Sequence, residues 1–415
     1  MANLLDKRWN IYSIILIIQA LYSLKVWFLW WVPEFAASIV FGIISLIYLF
    51  VSHFWILRDT RRTFVALLII IMFLYRTEGN INAYIFSLLS SFTLLPLVFL
   101  KTKYLADLID RFQKVITIIL AASLFFWIGH LLGIDLPSFE ITYGKIDRGS
   151  GLEDQYYFSN HYFYLVDKSW LFRGGIVPSF LRFYSVFLEP GYLAILMVFL
   201  LFINKFDIKD RRNILYIAVI VATVSLAGFL MGVFAYIAHS VQHSRRGITG
   251  LAIVAVLLFF CYDYFKEYNH GNNFINQGII ERLEYDNTEG TIVGNNRTSE
   301  ALDIQFERFL GTSDIWLGKG GRAELEFGVG YKAFMLKYGI FGLVLFLVYM
   351  YLIARIGRNY RANVMFVLYV LMFLRGHGPI FWHGFMLVYI CGVMLSKYES
   401  LSHEKNSTHL TLQRV

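Results

Sequence analysis

Apolar runs of near-membrane length recur along the whole chain, and they constrain the fold more than any motif does. They can be read at 11–32, 34–57, 63–76, 81–100, 115–133, 183–204, 213–227, 229–242, 248–263, 336–356, 362–375 and 379–397. A helix rises 1.5 Å per residue, so about 20 apolar residues cross a bilayer core. The segments 63–76, 213–227 and 362–375 fall short of that. The 213–242 run reads either as two short helices or as one long tilted helix. The first run lacks a small-residue cleavage site and reads as a retained helix. Composition agrees with this map: 58% of the 415 residues are hydrophobic and 16% are charged. A soluble domain has about 45–50% and about 25%. So little polar surface cannot cover so large an apolar core in water. A membrane β-barrel would show short alternating segments instead. The expected fold is therefore all-α and polytopic, with about 12 transmembrane helices.

Charge orders the map. Lys7 and Arg8, then Arg58, Arg61 and Arg62, then Lys101, Lys103, Arg111 and Lys114 fall on one side. The same side takes Lys205, Lys209, Arg211, Arg212, Arg245, Arg246, Arg355, Arg358 and Arg361, and the tail residues Lys397, Lys405 and Arg414. Short connections on the other side offer only Arg76 and Arg375. The positive-inside rule then predicts that both termini are cytoplasmic. The overall +8 hides two opposite balances. The cytoplasmic segments hold 21 Lys/Arg against 8 Asp/Glu, while the outer segments, with Glu189, hold 15 against 21, and Lys25 lies in the first span. The basic balance thus reports topology, and nothing in it asks for a nucleic-acid partner.

The map divides the chain into five helices over 1–133, a first large outer loop over 134–182, helices six to nine over 183–263, a second large outer loop over 264–335, helices ten to twelve over 336–397, and a cytoplasmic tail over 398–415. The first loop is rich in rings (Tyr156, Tyr157, Phe158, Tyr162, Phe163, Tyr164, Trp170, Phe172). Such a segment reads as ordered, and its rings suit either sugar-face stacking or an interfacial aromatic belt. No internal repeat is evident, which weighs against a transporter built on inverted repeats.

Two stretches carry candidate chemistry. Arg182-Phe-Tyr-Ser-Val-Phe-Leu-Glu189-Pro190 lies where the first loop enters the sixth span. If the helix begins that early, Arg182 and Glu189 share a face, either as functional groups or as an ion pair that staples the loop. In the second loop, Asn295-Asn296-Arg297 precedes an amphipathic stretch with Leu302, Phe306 and Phe309. Gly318-Lys319-Gly320-Gly321-Arg322 follows, and Glu326 leads into the tenth span. The glycine cluster reads either as a backbone nest for an anion, with Lys319 and Arg322 as cations, or as a tight turn back to the membrane. It has the wrong spacing for a Walker A loop. The edge histidines are His130, His239, His377 and His383, and His377 is a candidate general base. No spacing fits a metal site, and the two cysteines, Cys261 and Cys391, read as small buried hydrophobes. No nucleophile elbow is present.

The number of spans, the two outer loops and the Arg-x-x-Ser-x-Phe-x-Glu-Pro motif at 182–190 together resemble the O-antigen and capsule repeat-unit polymerases of the Wzy type. The Leu-Gly-x-Gly at 317–320 and the Tyr331…Gly339-x-x-Gly342 that follows fit the wider polymerase and O-antigen ligase superfamily. The resemblance implies a fold similar to the membrane GT-C glycosyltransferases and a place in the bacterial cytoplasmic (inner) membrane. It implies a reaction on the outer face that joins oligosaccharide repeat units carried on undecaprenyl diphosphate, without metal or other cofactor. A chain-length regulator and a flippase are the implied partners. Arginines would hold the departing diphosphate: Arg182 and Arg297 first, then Arg322, with Arg173 and Lys319 behind. Glu189, Glu326 and His377 are the candidates to take the acceptor proton, and Glu189 alternatively orients Arg182. Ligases of the superfamily often carry His-Asn where this chain has Gly328-Val329. That departure counts against a ligase and leaves the base unassigned. A lipid-oligosaccharide flippase is the alternative of another class, and it would gather its charges near the bilayer midplane.

Overall fold

A computed structural model describes residues 2–51, 54–56, 58–75, 77, 81–134, 136–143, 156–168, 182–243, 262, 264–268, 276, 280–281, 284–286, 291–292, 300–320, 330–376 and 381–396. Its helices are α1 (Ala2–Ser23), α2 (Glu34–Val51), α3 (Thr60–Leu74), α4 (Ile81–Phe92), α5 (Leu95–Phe99), α6 (Thr102–Leu131), α7 (Pro190–Ile203), α8 (Arg211–Thr223), α9 (Leu226–His243), α10 (Glu300–Leu310), α11 (Tyr331–Gly357), α12 (Tyr360–Arg375) and α13 (His383–Ser396). Its strands are β1 (Phe139–Tyr143), β2 (Tyr156–Asn160), β3 (Leu165–Asp167), β4 (Tyr285–Asp286) and β5 (Thr291–Ile292).

The described chain is mostly helical, and three helical stretches are long and apolar enough to cross a membrane: Ile81–Phe99, Thr102–Leu131 and Tyr331–Gly357. Five shorter apolar helices accompany them. The apolar faces point outward as well as inward. Ile11, Ile14 and Ile18 form an exposed stripe on α1, and Val40, Ile43, Ile47 and Phe50 form one on α2. A soluble protein rarely leaves such stripes bare, whereas a lipid-facing helix needs them. The expectation of an all-α chain is corrected in both large loops, since β4 and β5 of the second pair as a short antiparallel ribbon. The described part of the first loop forms an antiparallel three-stranded sheet, β1-β2-β3, with Phe158 opposite both Ile141 and Asp167.

Two compact units divide the chain, 1–114 with 300–415, and 115–299. In the first unit α3 packs on α4 and α11, and α11 packs on α12. Asp59 caps α3 by accepting from Arg61 N at 3.0 Å and Arg62 N at 3.4 Å. Such a cap is worth about 1 kcal/mol. Arg62 is buried and donates to the carbonyls of Val98 and Leu100, both at 2.8 Å. That ties α3 to the end of α5. The amphipathic α10 buries Leu302, Phe306 and Phe309 against Leu336 of α11, and Ile304 and Leu310 face outward.

In the second unit α7 is buried on nearly every side, as a helix apolar all round must be, and it packs against α8 and α9. A Cβ on Gly228 would fall 2.5 Å from Ala194 Cβ, so glycine sets the approach of α9 to α7. Val224, left-handed at φ 47°, ends α8. The 213–242 run is therefore two helices.

Candidate functional site

The 182–189 stretch is a strap rather than the start of a helix. α7 begins at Pro190, where the missing N–H of proline costs nothing, and Glu189 is the N-cap residue. Arg182 and Glu189 therefore share no helix face. The guanidinium of Arg182 goes to backbone: Nε donates to the Thr223 carbonyl at 3.1 Å, and Nη2 approaches the Val224 carbonyl at 3.5 Å. These are the carbonyls that a helix C-terminus leaves unsatisfied, and the helix dipole favours a cation there. The described bonds of Arg182 thus make it a cap of α8. The middle of the strap is buried and pinned. Tyr184 Oη donates to Asp167 Oδ2 at 2.9 Å, and Ser185 Oγ donates to Ser123 Oγ at 2.8 Å. Leu165 N donates to the Ser185 carbonyl at 2.8 Å. Ser185 holds φ 51°, a strained value for a non-glycine residue. Beside it, the His161 ring stacks on Tyr164 at 4.7 Å, and burial pushes the Tyr164 hydroxyl up to about 12.

In the first unit, the Gly318-Lys319-Gly320 stretch is a turn laid into a kink of α11. Gly318 at φ 75° and Gly339 at φ 65° meet backbone to backbone. A Cβ on Gly318 would fall 2.4 Å from the Lys337 carbonyl oxygen, and one on Gly339 2.4 Å from Gly318 N. Gly318 N donates to the Asp314 carbonyl at 2.6 Å, and Lys319 N to the Leu336 carbonyl at 2.8 Å. Two N–H groups of the supposed anion nest are therefore already taken by the fold. The described part of the cluster is a packed turn, and only the half-buried side chain of Lys319 is left to serve as a cation.

Arg173, Arg297, Arg322, Glu326 and His377, like Cys261, lie outside the described residues. Cys391 is buried and donates to the Leu105 carbonyl at 3.7 Å, as a small core residue. Among the described residues no cluster of His, Cys, Asp and Glu could hold a metal ion.

Sequence reasoning missed a cleft of about 220 Å³ in the first unit. Its walls are the rings of Tyr22, Phe41, Phe73, Phe86, Phe381 and Trp382. Its polar groups are Gln19, Ser23, Lys25, Glu34, Ser38, Ser90, Thr93 and His383. The chain builds it from the C-terminal end of α1, the first turns of α2, the last turn of α3, α4 and the entry to α13. Lys25, left-handed at φ 56°, reverses the chain after α1. Its ammonium pairs with Glu34 and sits 5.8 Å over the Tyr22 ring. Ser23 Oγ accepts from Gly384 N at 2.8 Å, which docks α13 on α1. Gly384 is needed for that approach, since a Cβ there would fall 2.7 Å from Leu24 Cγ and 3.0 Å from the Ala20 carbonyl oxygen.

Two polar side chains of the cleft are buried without full partners. Gln19 donates Nε2 to the Thr93 carbonyl at 3.3 Å, but its Oε1 accepts nothing among the described residues. His383 is 3% exposed, and neither ring nitrogen has a partner there. Each such orphan costs about 1–3 kcal/mol. The cleft also adjoins the Lys319 turn through its rings. Phe381 contacts Phe73 at 5.5 Å and Tyr338 at 6.3 Å, and Tyr75 Oη donates to the Leu317 carbonyl at 3.2 Å. The one legible signal was Trp382-His383 directly after the short outer turn. No family model, curated protein or solved structure matches the chain.

Proposed function

We propose that the chain is a polysaccharide polymerase of the Wzy type in the bacterial cytoplasmic membrane, with about twelve spans, both termini cytoplasmic and two large extracytoplasmic loops. It joins undecaprenyl-diphosphate-linked repeat units into O-antigen, capsule or exopolysaccharide on the outer face. One observation carries this reading: the cleft of Gln19, Lys25, Glu34 and His383, walled by aromatic rings. Aromatic faces stack on the C–H faces of sugars, while amide, hydroxyl and imidazole groups bond their hydroxyls. Orphaned acceptors on Gln19 and His383 suit a hydroxyl-rich ligand better than a lipid tail. On the proposed topology this cleft lies at the outer ends of its helices.

In the reaction, a hydroxyl of the acceptor sugar attacks the anomeric carbon of the donor. The new C–O bond forms as the bond to the diphosphate breaks, the hydroxyl proton passes to a base, and undecaprenyl diphosphate leaves. Charge grows on the leaving group, so preplaced cations lower the barrier. Arg182, Arg297, Arg322, Arg173 and Lys319 are the proposed set. Arg182 has five N–H donors, and its cap uses only part of them, so it can serve both ends. Glu189, Glu326 and His377 remain the proposed bases.

The test is direct. The purified chain is given single lipid-linked repeats in detergent. A ladder of longer lipid-linked glycans with release of undecaprenyl diphosphate is expected. An unchanged single-repeat band from folded protein would refute the proposal. Deletion in cells separates a ligase: loss of a polymerase leaves one repeat on the final acceptor, and loss of a ligase leaves none.

A further inference from the structure

At the basic edge of the first unit lies a second cleft, of about 620 Å³, lined by Thr60, Arg61 and Phe64 of α3, by Tyr351, Leu352 and Arg355 of α11, and by Arg358. The spacing explains the lining. Residues 60, 61 and 64 share one face of α3, and residues 351, 355 and 358 share one face of α11. The two helices pack on each other and run in opposite senses with respect to this edge. Arg61 lies in the first turn of α3, while Arg355 and Arg358 lie in and just beyond the last turn of α11. Phe64, Tyr351 and Leu352 then fall about one turn, roughly 5 Å, deeper. Cations thus form a rim above an apolar wall.

The polar groups beside these cations are taken by a fourth arginine. Arg62, next door, is buried on two carbonyls, and the Asp59 carboxylate is taken by the α3 cap and by Arg62. Among the described residues, none of the guanidiniums of Arg61, Arg355 and Arg358 meets a carboxylate. Arg355 instead lies 5.9 Å over the Tyr351 ring. Three like charges around one concavity repel each other unless an anion joins them.

We propose that this cleft seats the phosphodiester headgroup of an anionic phospholipid. The three guanidiniums bind the phosphate, and an acyl chain runs along Phe64, Tyr351 and Leu352. The combination of charged rim and apolar wall selects an amphiphile, since a free phosphate would leave the wall empty. Basic pockets between helices at the charged side of a membrane bind such headgroups.

The test uses the detergent-purified full chain, titrated separately with phosphatidylglycerol, phosphatidylcholine and inorganic phosphate. Retained lipid is counted by native mass spectrometry, and affinity is read from the shift in Tm. The variants are the triple Arg61→Gln/Arg355→Gln/Arg358→Gln and a control that removes the same charge elsewhere, Arg8→Gln/Lys209→Gln/Arg211→Gln. The wild type and the control should hold phosphatidylglycerol equally and prefer it to phosphatidylcholine. The cleft triple should bind it about 100-fold more weakly, from about a factor of five per cation. If the triple does not fold, Arg355→Gln alone should show the single factor. Equal loss in the control would mean diffuse surface charge only, and would overturn the proposal. So would binding of inorganic phosphate as tight as that of the lipid.

Discussion

Replacing His383 with leucine should make the protein more stable and less active at once. His383 is 3% exposed, and both ring nitrogens lack partners among the described residues. A buried unsatisfied polar group costs about 1–3 kcal/mol, and an apolar side chain of similar volume removes that cost. Leucine keeps the contacts at the α13–α1 junction and leaves the bond from Gly384 N to Ser23 Oγ untouched. His383→Leu should therefore gain about 1–3 kcal/mol, seen as a Tm higher by a few degrees in a detergent thermal melt. If the imidazole bonds an acceptor hydroxyl, the same variant should raise the KM for the acceptor repeat about tenfold, the equivalent of about 1.4 kcal/mol. His383→Gln keeps a polar group, so it should restore part of that KM and give none of the stability. A fall in Tm of similar size would show that the ring nitrogens are satisfied in the fold and that the residue is structural. A rise in Tm with unchanged KM would remove His383 from the site.

Further outcomes follow from the same geometry. Arg182→Ala should cost about 1–2 kcal/mol by uncapping α8, whereas Arg182→Lys should keep most of that Tm and still lose at least about tenfold in polymerisation rate, because lysine cannot grip a diphosphate with two parallel bonds; equal rates would confine Arg182 to the cap. Gly339→Ala should lose about 3 kcal/mol or more, since its φ of 65° is left-handed and the new Cβ would meet Gly318 N at 2.4 Å. Gly384→Ala should lose about 1–2 kcal/mol in the same melt despite the better helix propensity of alanine, and should weaken acceptor binding by shifting α13 from α1. The hydrogen bond from Arg212 holds the Asp210 carboxyl below the usual aspartate range, so its contribution is present above that range and lost as pH falls through the folded value. A Tm profile against pH should therefore drop on the acid side in the wild type, and Asp210→Asn should remove that increment of the drop.

Much of the helical layout was legible, because apolar runs report burial or lipid contact without reference to the rest of the chain. Even so, boundaries moved where local chemistry was overlooked. Pro190 at the first turn of α7 already signals a helix start, and it separates the 182–189 strap from the helix behind it. The break between α8 and α9 falls at Val224-Ser225, where neither Gly nor Pro gives notice. Phe139-Glu-Ile-Thr-Tyr143 alternates as a half-buried strand does, a period-2 signal that a map built on long apolar runs passes over. The cleft was not legible. Its residues come from 19–25, 34–41, 73, 86–93 and 381–383, so no window of sequence contains it.

Residue type alone ranked Arg182 first, whereas the fate of each polar group separates scaffold from site more sharply. Arg62 and Arg182 donate to backbone carbonyls, and the amides of Gly318 and Lys319 close a turn. Those groups already have their partners in the folded chain, and their loss should be read first in Tm. Arg61, Arg355 and Arg358 at one edge of the first unit, and the nitrogens of His383 in its other cleft, stand differently. Among the described residues the three guanidiniums meet no carboxylate, Arg355 lying instead over the Tyr351 ring, and the unpaired nitrogens of His383 cost stability. A group that is costly in the free protein and well placed for a ligand should be read first in binding. The sign of the Tm change is therefore the discriminating measurement: negative for Arg62→Ala and Arg182→Ala, near zero for Arg355→Gln without lipid, and positive for His383→Leu. A negative change at all four positions would mean that these side chains are scaffold alike, and both clefts would lose their claim to a ligand.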